Sequence, residues 1–146
     1  MTVTVVGVGL IGGSMAIGLR ELGIAKKLIG VGHSEASLAK ALELKIIDEA
    51  LPLEAAVKKA DIIYIAIPVD STVDVVVQVL NLITDKQIVI DAGSTKFALC
   101  DAIKNHSMRK QFVASNPMWG TEFSGPEAAV SGAFTGRAFE KKKKDK

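Results

Sequence analysis

Cysteine is nearly absent from this sequence: Cys100 is the only one, which excludes an intrachain disulfide framework and fits a reducing compartment. Aromatic residues are scarce too, at 5% against 49% hydrophobic residues overall. The apolar content is therefore aliphatic and suits Val- and Ile-rich strands under helices better than a sandwich or a disordered chain. No apolar run approaches the ~20 residues of a membrane span; the longest is IIYIAIPV, from Ile62. The N-terminus enters a strand pattern at once, TVTVV, without a basic leader segment, so a cytoplasmic protein is expected. No metal site is expected. A basic body is missing as well. The formal charge is +2, but the last six residues, KKKKDK, hold +4 of it, leaving −2 for residues 1–140. A lysine run at a terminus reads as a solvated end, so neither nucleic acid nor a membrane is an expected partner.

What the sequence does have is alternation. At 146 residues there is material for one core that buries roughly 70% of the unfolded surface. Short β-branched runs at 2–6, 27–31, 61–67, 87–91 and 111–115 predict strands, with a short one at 46–47. Amphipathic stretches at 10–22, 35–44, 53–60, 70–83 and 96–105 predict helices. Strand and helix in repeated succession mean parallel pairing through right-handed crossovers, and near-continuous apolar strands mean a sheet covered on both faces. Ser34 is placed to cap the second helix, Pro52 to start the third and Pro68 to stop the strand before it. The alternation stops after Ser115, where a Gly- and Pro-rich segment follows, and residues 138–146 are expected to be a disordered basic tail beyond a single domain of 1–137.

The chemistry-bearing motifs lie at strand ends. GVGLIG, Gly7 to Gly12, follows the first strand and opens the first helix. In that context Gly7 allows the tight turn, Gly9 lets a pyrophosphate approach the backbone and Gly12 lets helix pack on strand. The amides of Leu10 and Ile11 then face the phosphates along the helix dipole. The expected fold is thus α/β and Rossmann-type: a doubly wound, mainly parallel sheet of order 3-2-1-4-5-6 with helices on both faces. At the end of the second strand, where an acid would bind the ribose 2′-hydroxyl of NAD, stand Gly32, His33 and Ser34. Ser34 and the following helix amides can accept a 2′-phosphate and His33 can lie over adenine, which favours NADP over NAD, although a loop histidine and a plain N-cap would read the same way. Ile67 and Pro68, at the switch point of the sheet, are expected to wall the cofactor. DAGSTK, Asp91 to Lys96, exposes Ser94 at the carboxyl end of the fifth strand, where an N-cap role is the simpler reading.

SNPMWGTEFSGPEAA, from Ser115, completes a pattern. With GVGLIGGS, IIDEA and DAGSTK it resembles, in order and spacing over residues 2 to 137, the dinucleotide-binding domain of the prephenate and arogenate dehydrogenases of tyrosine biosynthesis. That resemblance implies oxidative decarboxylation of prephenate, or of arogenate: hydride passes from the hydroxyl-bearing carbon to a nicotinamide, carbon dioxide leaves and the ring becomes aromatic. It also implies a histidine that takes the hydroxyl proton, a serine matched by Ser94 that orients it, and an acid matched by Glu122 near the substrate entrance. This sequence has Asn116 where the family has that histidine, and an amide cannot accept a proton at neutral pH. The family adds a helical domain through which it dimerises and binds the substrate carboxylates, and that domain is expected to be absent here, so the chain is expected to be catalytically silent. The rivals are another dehydrogenase or imine reductase on the same scaffold, and a non-catalytic dinucleotide-binding module.

Overall fold

Strands of Val and Ile need partners on both faces, and the computed structural model supplies them. It describes residues 1–67, 69–92, 97–117 and 139–141, without the side chains of residues 69–70, 97–98, 114–117 and 139–141. The chain runs β1 (Thr2–Val6), α1 (Leu10–Glu21), β2 (Lys27–Val31), α2 (Glu35–Glu43), β3 (Glu49–Ala50), α3 (Leu53–Lys59), β4 (Ile62–Ile65), α4 (Val69–Leu82), β5 (Ile88–Asp91), α5 (Phe97–Ile103), a 3-10 turn (Arg109–Gln111), β6 (Phe112–Pro117) and β7 (Phe139–Lys141). The sheet order is β3-β2-β1-β4-β5-β6-β7. Its first six strands are parallel, with Val3 beside both Leu28 and Ile62 and Ile90 beside Val113. This is the doubly wound order the alternation predicts.

Two buried clusters show why the strands are apolar throughout. On one face Val3, Val5, Leu28 and Tyr64 pack under Ala16 of α1 and Ala41 of α2. On the other, Ile63, Ile65 and Val89 pack under Val57 of α3, Val76 and Leu80 of α4 and Leu99 of α5. Successive strand residues thus enter opposite cores. Buried polar groups tie the layers together: Thr4 Oγ1 donates to the Ala56 carbonyl at 2.8 Å, and Gln87 Nε2 donates to the Val57 and Ala60 carbonyls at 2.7 Å each. Ser34 caps α2, accepting from the Ser37 amide at 3.3 Å as a short polar N-cap should. Pro52 stands at the N-cap of α3.

Two elements differ from expectation. The third strand forms at Glu49–Ala50, not at 46–47, because Ile46 and Ile47 are spent on the core, at 4% and 2% exposure, with Ile47 packed over Gly30 where no side chain would fit. The strand that replaces them is held at the sheet edge by Lys27, which bonds Glu49 at 2.9 Å and holds its carboxyl below the usual carboxylate range. The second difference is β7. Residues 139–141, expected in the tail, pair antiparallel with β6, Asn116 opposite Glu140, supplying ladder partners that an edge strand otherwise lacks.

The Tyr64 hydroxyl is a site of strain in this core. It is 2% exposed and makes no hydrogen bond among the described residues; burial, with the Asp91 charge nearby, pushes the phenol well above its ordinary value. An unfolded tyrosine ionises at about pH 10. The raised folded value therefore means full stability below that pH and a loss as pH rises beyond it, by up to ~1.4 kcal/mol per unit. Tyr64→Phe should remove that slope and leave stability near neutrality unchanged or raised by about 1 kcal/mol. Urea unfolding of both proteins at neutral pH and at about pH 11 checks this; a loss above ~2 kcal/mol near neutrality would show that the hydroxyl has a partner.

Candidate functional site

The carboxyl ends of β1, β2 and β4 converge on one turn. The Gly7 amide donates to the Val31 carbonyl at 2.8 Å, and the Ala66 amide donates to the Val6 carbonyl at 2.8 Å, so the turn is pinned from both neighbours. Gly7 has φ +93, and a Cβ there would fall on the Ala66 carbonyl oxygen and within 2.8 Å of Ile67 Cγ2. Left-handed backbone and contact both demand glycine. At Gly12 the obstacle is the turn itself: a Cβ would strike the Gly7 carbonyl oxygen and lie 2.9 Å from Val5 Cγ1. At Gly9 nothing among the described residues lies within 4 Å. Two glycines are thus required by the fold, and the third faces open space.

The open space is where a ligand meets the helix. The first helical bond of α1 runs from the Gly13 amide to the Gly9 carbonyl at 2.9 Å, so the Leu10 and Ile11 amides precede the ladder and have no carbonyl within it to serve. The first turn of α1 carries no acidic side chain, which leaves its positive end available to an anion. From this turn extends a cavity of about 590 Å³, in the range of small-molecule and cofactor sites. Gly7 and Gly9 line it, with Val6 and Val8; Gly32, His33 and Ser34 close its β2 corner with Val31, and Ala66 and Ile67 its β4 side. No carboxylate lines it among the described residues. Ser34 spends an oxygen lone pair on the Ser37 amide, which leaves its O–H free to donate.

The sequence-predicted cofactor residues Gly7, Gly9, His33, Ser34 and Ile67 therefore share one cavity; half-buried Leu10 and Ile11 and buried Gly12, in the first turn of α1, do not line it. Pro68, Ser94 and Glu122 lie outside the described residues. Asn116 is described in its backbone alone, in β6. Sequence reasoning missed Ser37 and Leu38 of α2, Leu53 of α3, and Ser71 and Val75 of α4, all of which line the cavity. The i, i+4 spacing of Ser71 and Val75 was an available signal; nothing local marks Leu53. Among the described residues no group of three His, Cys, Asp or Glu is placed to hold a metal, and no helix is long and apolar enough to cross a membrane.

The family model for the nucleotide-binding domain of prephenate dehydrogenase matches residues 15–140. The prephenate dehydrogenase of Bacillus subtilis is 35% identical over 136 residues, which are 91% of this chain and 37% of that protein. Among solved structures, prephenate dehydrogenase from A. aeolicus in complex with hydroxyphenyl propionate and NAD+ superposes with a TM-score of 0.87 at 32% identity, covering 99% of this chain and 52% of that one. Synechocystis arogenate dehydrogenase does so with a TM-score of 0.83 at 30% identity, covering 95% and 49%. The chain thus spans about half of these solved proteins and under two-fifths of the Bacillus relative.

The glycine turn makes separable demands. Gly9→Val should fold normally, since nothing crowds its Cβ, yet lose nicotinamide dinucleotide affinity by about tenfold or more through blocked pyrophosphate approach. Gly12→Val should instead lower stability by about 3 kcal/mol, since helix and strand would have to part. Urea midpoints and fluorescence titration with NADPH read the two effects; unchanged affinity in Gly9→Val would remove the pyrophosphate from this turn.

Proposed function

We propose, from the premise that this chain belongs to the prephenate dehydrogenase family, that it is the unit that holds NAD(P) for the oxidative decarboxylation of prephenate to 4-hydroxyphenylpyruvate, with NADP preferred. The observation that carries this reading is the joining of an uncapped helix N-terminus to an apolar cavity whose β2 corner bears hydroxyls and no carboxylate. A bound nicotinamide supplies the hydride acceptor. The chain's own residues do the rest: the Leu10 and Ile11 amides hold the pyrophosphate, and Ser34 donates to a 2′-phosphate with the first turn of α2 behind it. Glu35, in that same turn, is not part of the cavity lining, which limits its repulsion. The similarity to an arogenate dehydrogenase supports arogenate as a second substrate reading.

Position 116 decides the proton. In this reading the substrate hydroxyl meets Asn116 in place of the family's histidine, with Ser94 orienting the hydroxyl and Glu122 near the entrance. The Asn amide donates and accepts hydrogen bonds but takes no proton at neutral pH, so substrate and cofactor can be positioned while turnover is slow. Loss of a general base costs about 10²- to 10⁴-fold.

Two measurements test this. Installing Asp at Gly32 is sterically mild, because a Cβ there meets only Leu38 at 3.6 Å, and a carboxylate repels a 2′-phosphate while accepting from a 2′-hydroxyl. Gly32→Asp should shift the NADPH to NADH affinity ratio toward NADH by about tenfold or more; an untouched ratio would mean that β2 does not read the ribose. For the base, the chain fused to the remaining length of a full-length relative should oxidise prephenate about 100-fold faster as Asn116→His, with NADPH affinity within about threefold. Equal rates would show that residue 116 is not the base.

A further inference from the structure

β7 brings a second chemical group to the rung of the sheet that holds Asn116. Its three residues pair antiparallel with β6: Phe139 opposite Pro117, Glu140 opposite Asn116 and Lys141 opposite Ser115. Opposite residues of an antiparallel pair share one face of the sheet, with Cβ atoms about 5 Å apart. Of these rungs the middle one alone holds a carboxylate, across from the position where the family has its histidine. Asp91, the acid that ends β5, is registered with Ala114, two residues and so about 6.6 Å of strand before position 116, and it is fully buried. The cavity lining holds no carboxylate among the described residues. Among those residues Glu140 is therefore the acid whose register places it closest to position 116.

A carboxylate does what an amide cannot. Asparagine takes no proton at neutral pH, whereas a glutamate is ionised there and accepts one. Resting on the dehydrogenase reading above, we propose that Glu140 is the proton acceptor of the Asn116 form, with the Asn116 amide left to hydrogen-bond the substrate hydroxyl. The hydroxyl proton passes to the Glu140 carboxylate as hydride leaves the same carbon for the nicotinamide, so the substrate is oxidised to a ring ketone and the cofactor is reduced. The bond to the departing carboxylate then breaks as carbon dioxide, its electron pair enters the ring, and the oxygen recovers its proton from Glu140 as the ring becomes aromatic. The proton is thus borrowed and returned, with none released. A carboxylate is a weaker base than an imidazole, so turnover is slower than with histidine at 116 yet faster than in a site with no base at all.

A double-mutant cycle in the full chain, fused to the remaining length of a relative, tests this. With prephenate and NADP+, Glu140→Gln should lower kcat by about tenfold or more where residue 116 is Asn, and the loss should be at least about threefold smaller where Asn116→His is also present, since imidazole then takes the proton. Equal losses in the two backgrounds would show a structural role only and overturn the proposal. So would an Asn116 form without turnover beside an active Asn116→His form. A second measurement needs no turnover. In the unfused chain carrying Asn116→His, proton NMR should show the ring of residue 116 titrating at lower pH, by about 0.3 unit or more, once Glu140→Gln removes the charge across the rung. An unmoved titration would overturn the shared rung and the proposal. Absence of turnover in all four fused forms would overturn the dehydrogenase reading, and the catalytic role of Glu140 with it.

Discussion

The close approach of Gly12 to the Gly7 carbonyl is the constraint on which the site depends. With no Cβ between them, α1 begins directly above the end of β1, so its free amides open at the edge of the sheet. One methyl group would lift the helix away from the strand and turn the same amides toward solvent. Gly7 completes the geometry by turning the chain under Ala66 and Ile67, just past the end of β4. The turn is thus clamped between β2 and β4 by backbone alone, and an anion that binds there meets donors whose positions are already fixed.

The cavity walls are held by less visible means. Leu53 opens an α3 that is moored through its C-terminal half: Thr4 of β1 bonds its Ala56 carbonyl, and Gln87, just before β5, takes the Val57 and Ala60 carbonyls. These carbonyls lie where the i to i+4 ladder of α3 runs out, with only the Ala60 amide turning back to Val57 at 3.2 Å, and burial makes leaving such groups unpaired costly. Gln87 is itself steadied by the Thr84 amide on its Oε1, at 3.0 Å. Side chains far from the ligand therefore decide where an apolar wall stands.

Much of this was legible in the sequence, and what was not has a physical cause. Strand runs such as TVTVV and DIIYIAI could be read because a doubly covered strand is apolar at every position. The glycine turn could be read because its constraints act on the backbone over six residues. The Ile46–Ile47 pair looked like a strand because apolarity alone does not distinguish a ladder partner from a core plug, and here the pair fills space over Gly30. β7 was hidden because its pairing with β6 spans the whole Gly- and Pro-rich segment between them. Leu53 and Val75 were missed because each is one more aliphatic residue on an amphipathic helix, and only the packing of α3 and α4 over the sheet shows that these two remain half uncovered.

Electrostatics point to local rather than global attraction of the cofactor. Outside its last six residues the chain sums to −2, so residues 1–140 carry no net positive charge to steer an anionic dinucleotide in. The ion pairs Arg20–Asp48 and Lys27–Glu49 sit in exposed side chains, and the cavity lining has no Lys or Arg among the described residues. What remains to attract phosphate is the set of amides at the starts of α1 and α2, acting over a few ångströms where salt screens them little. Binding should then depend on fit more than on ionic strength. Among the described residues the cavity lining ends at Val75, while the motifs matched to chemistry begin at Asp91. On the reading proposed above, position 116 therefore lies beyond the described groups that line the cavity, and dinucleotide binding and turnover are expected to separate by sequence position.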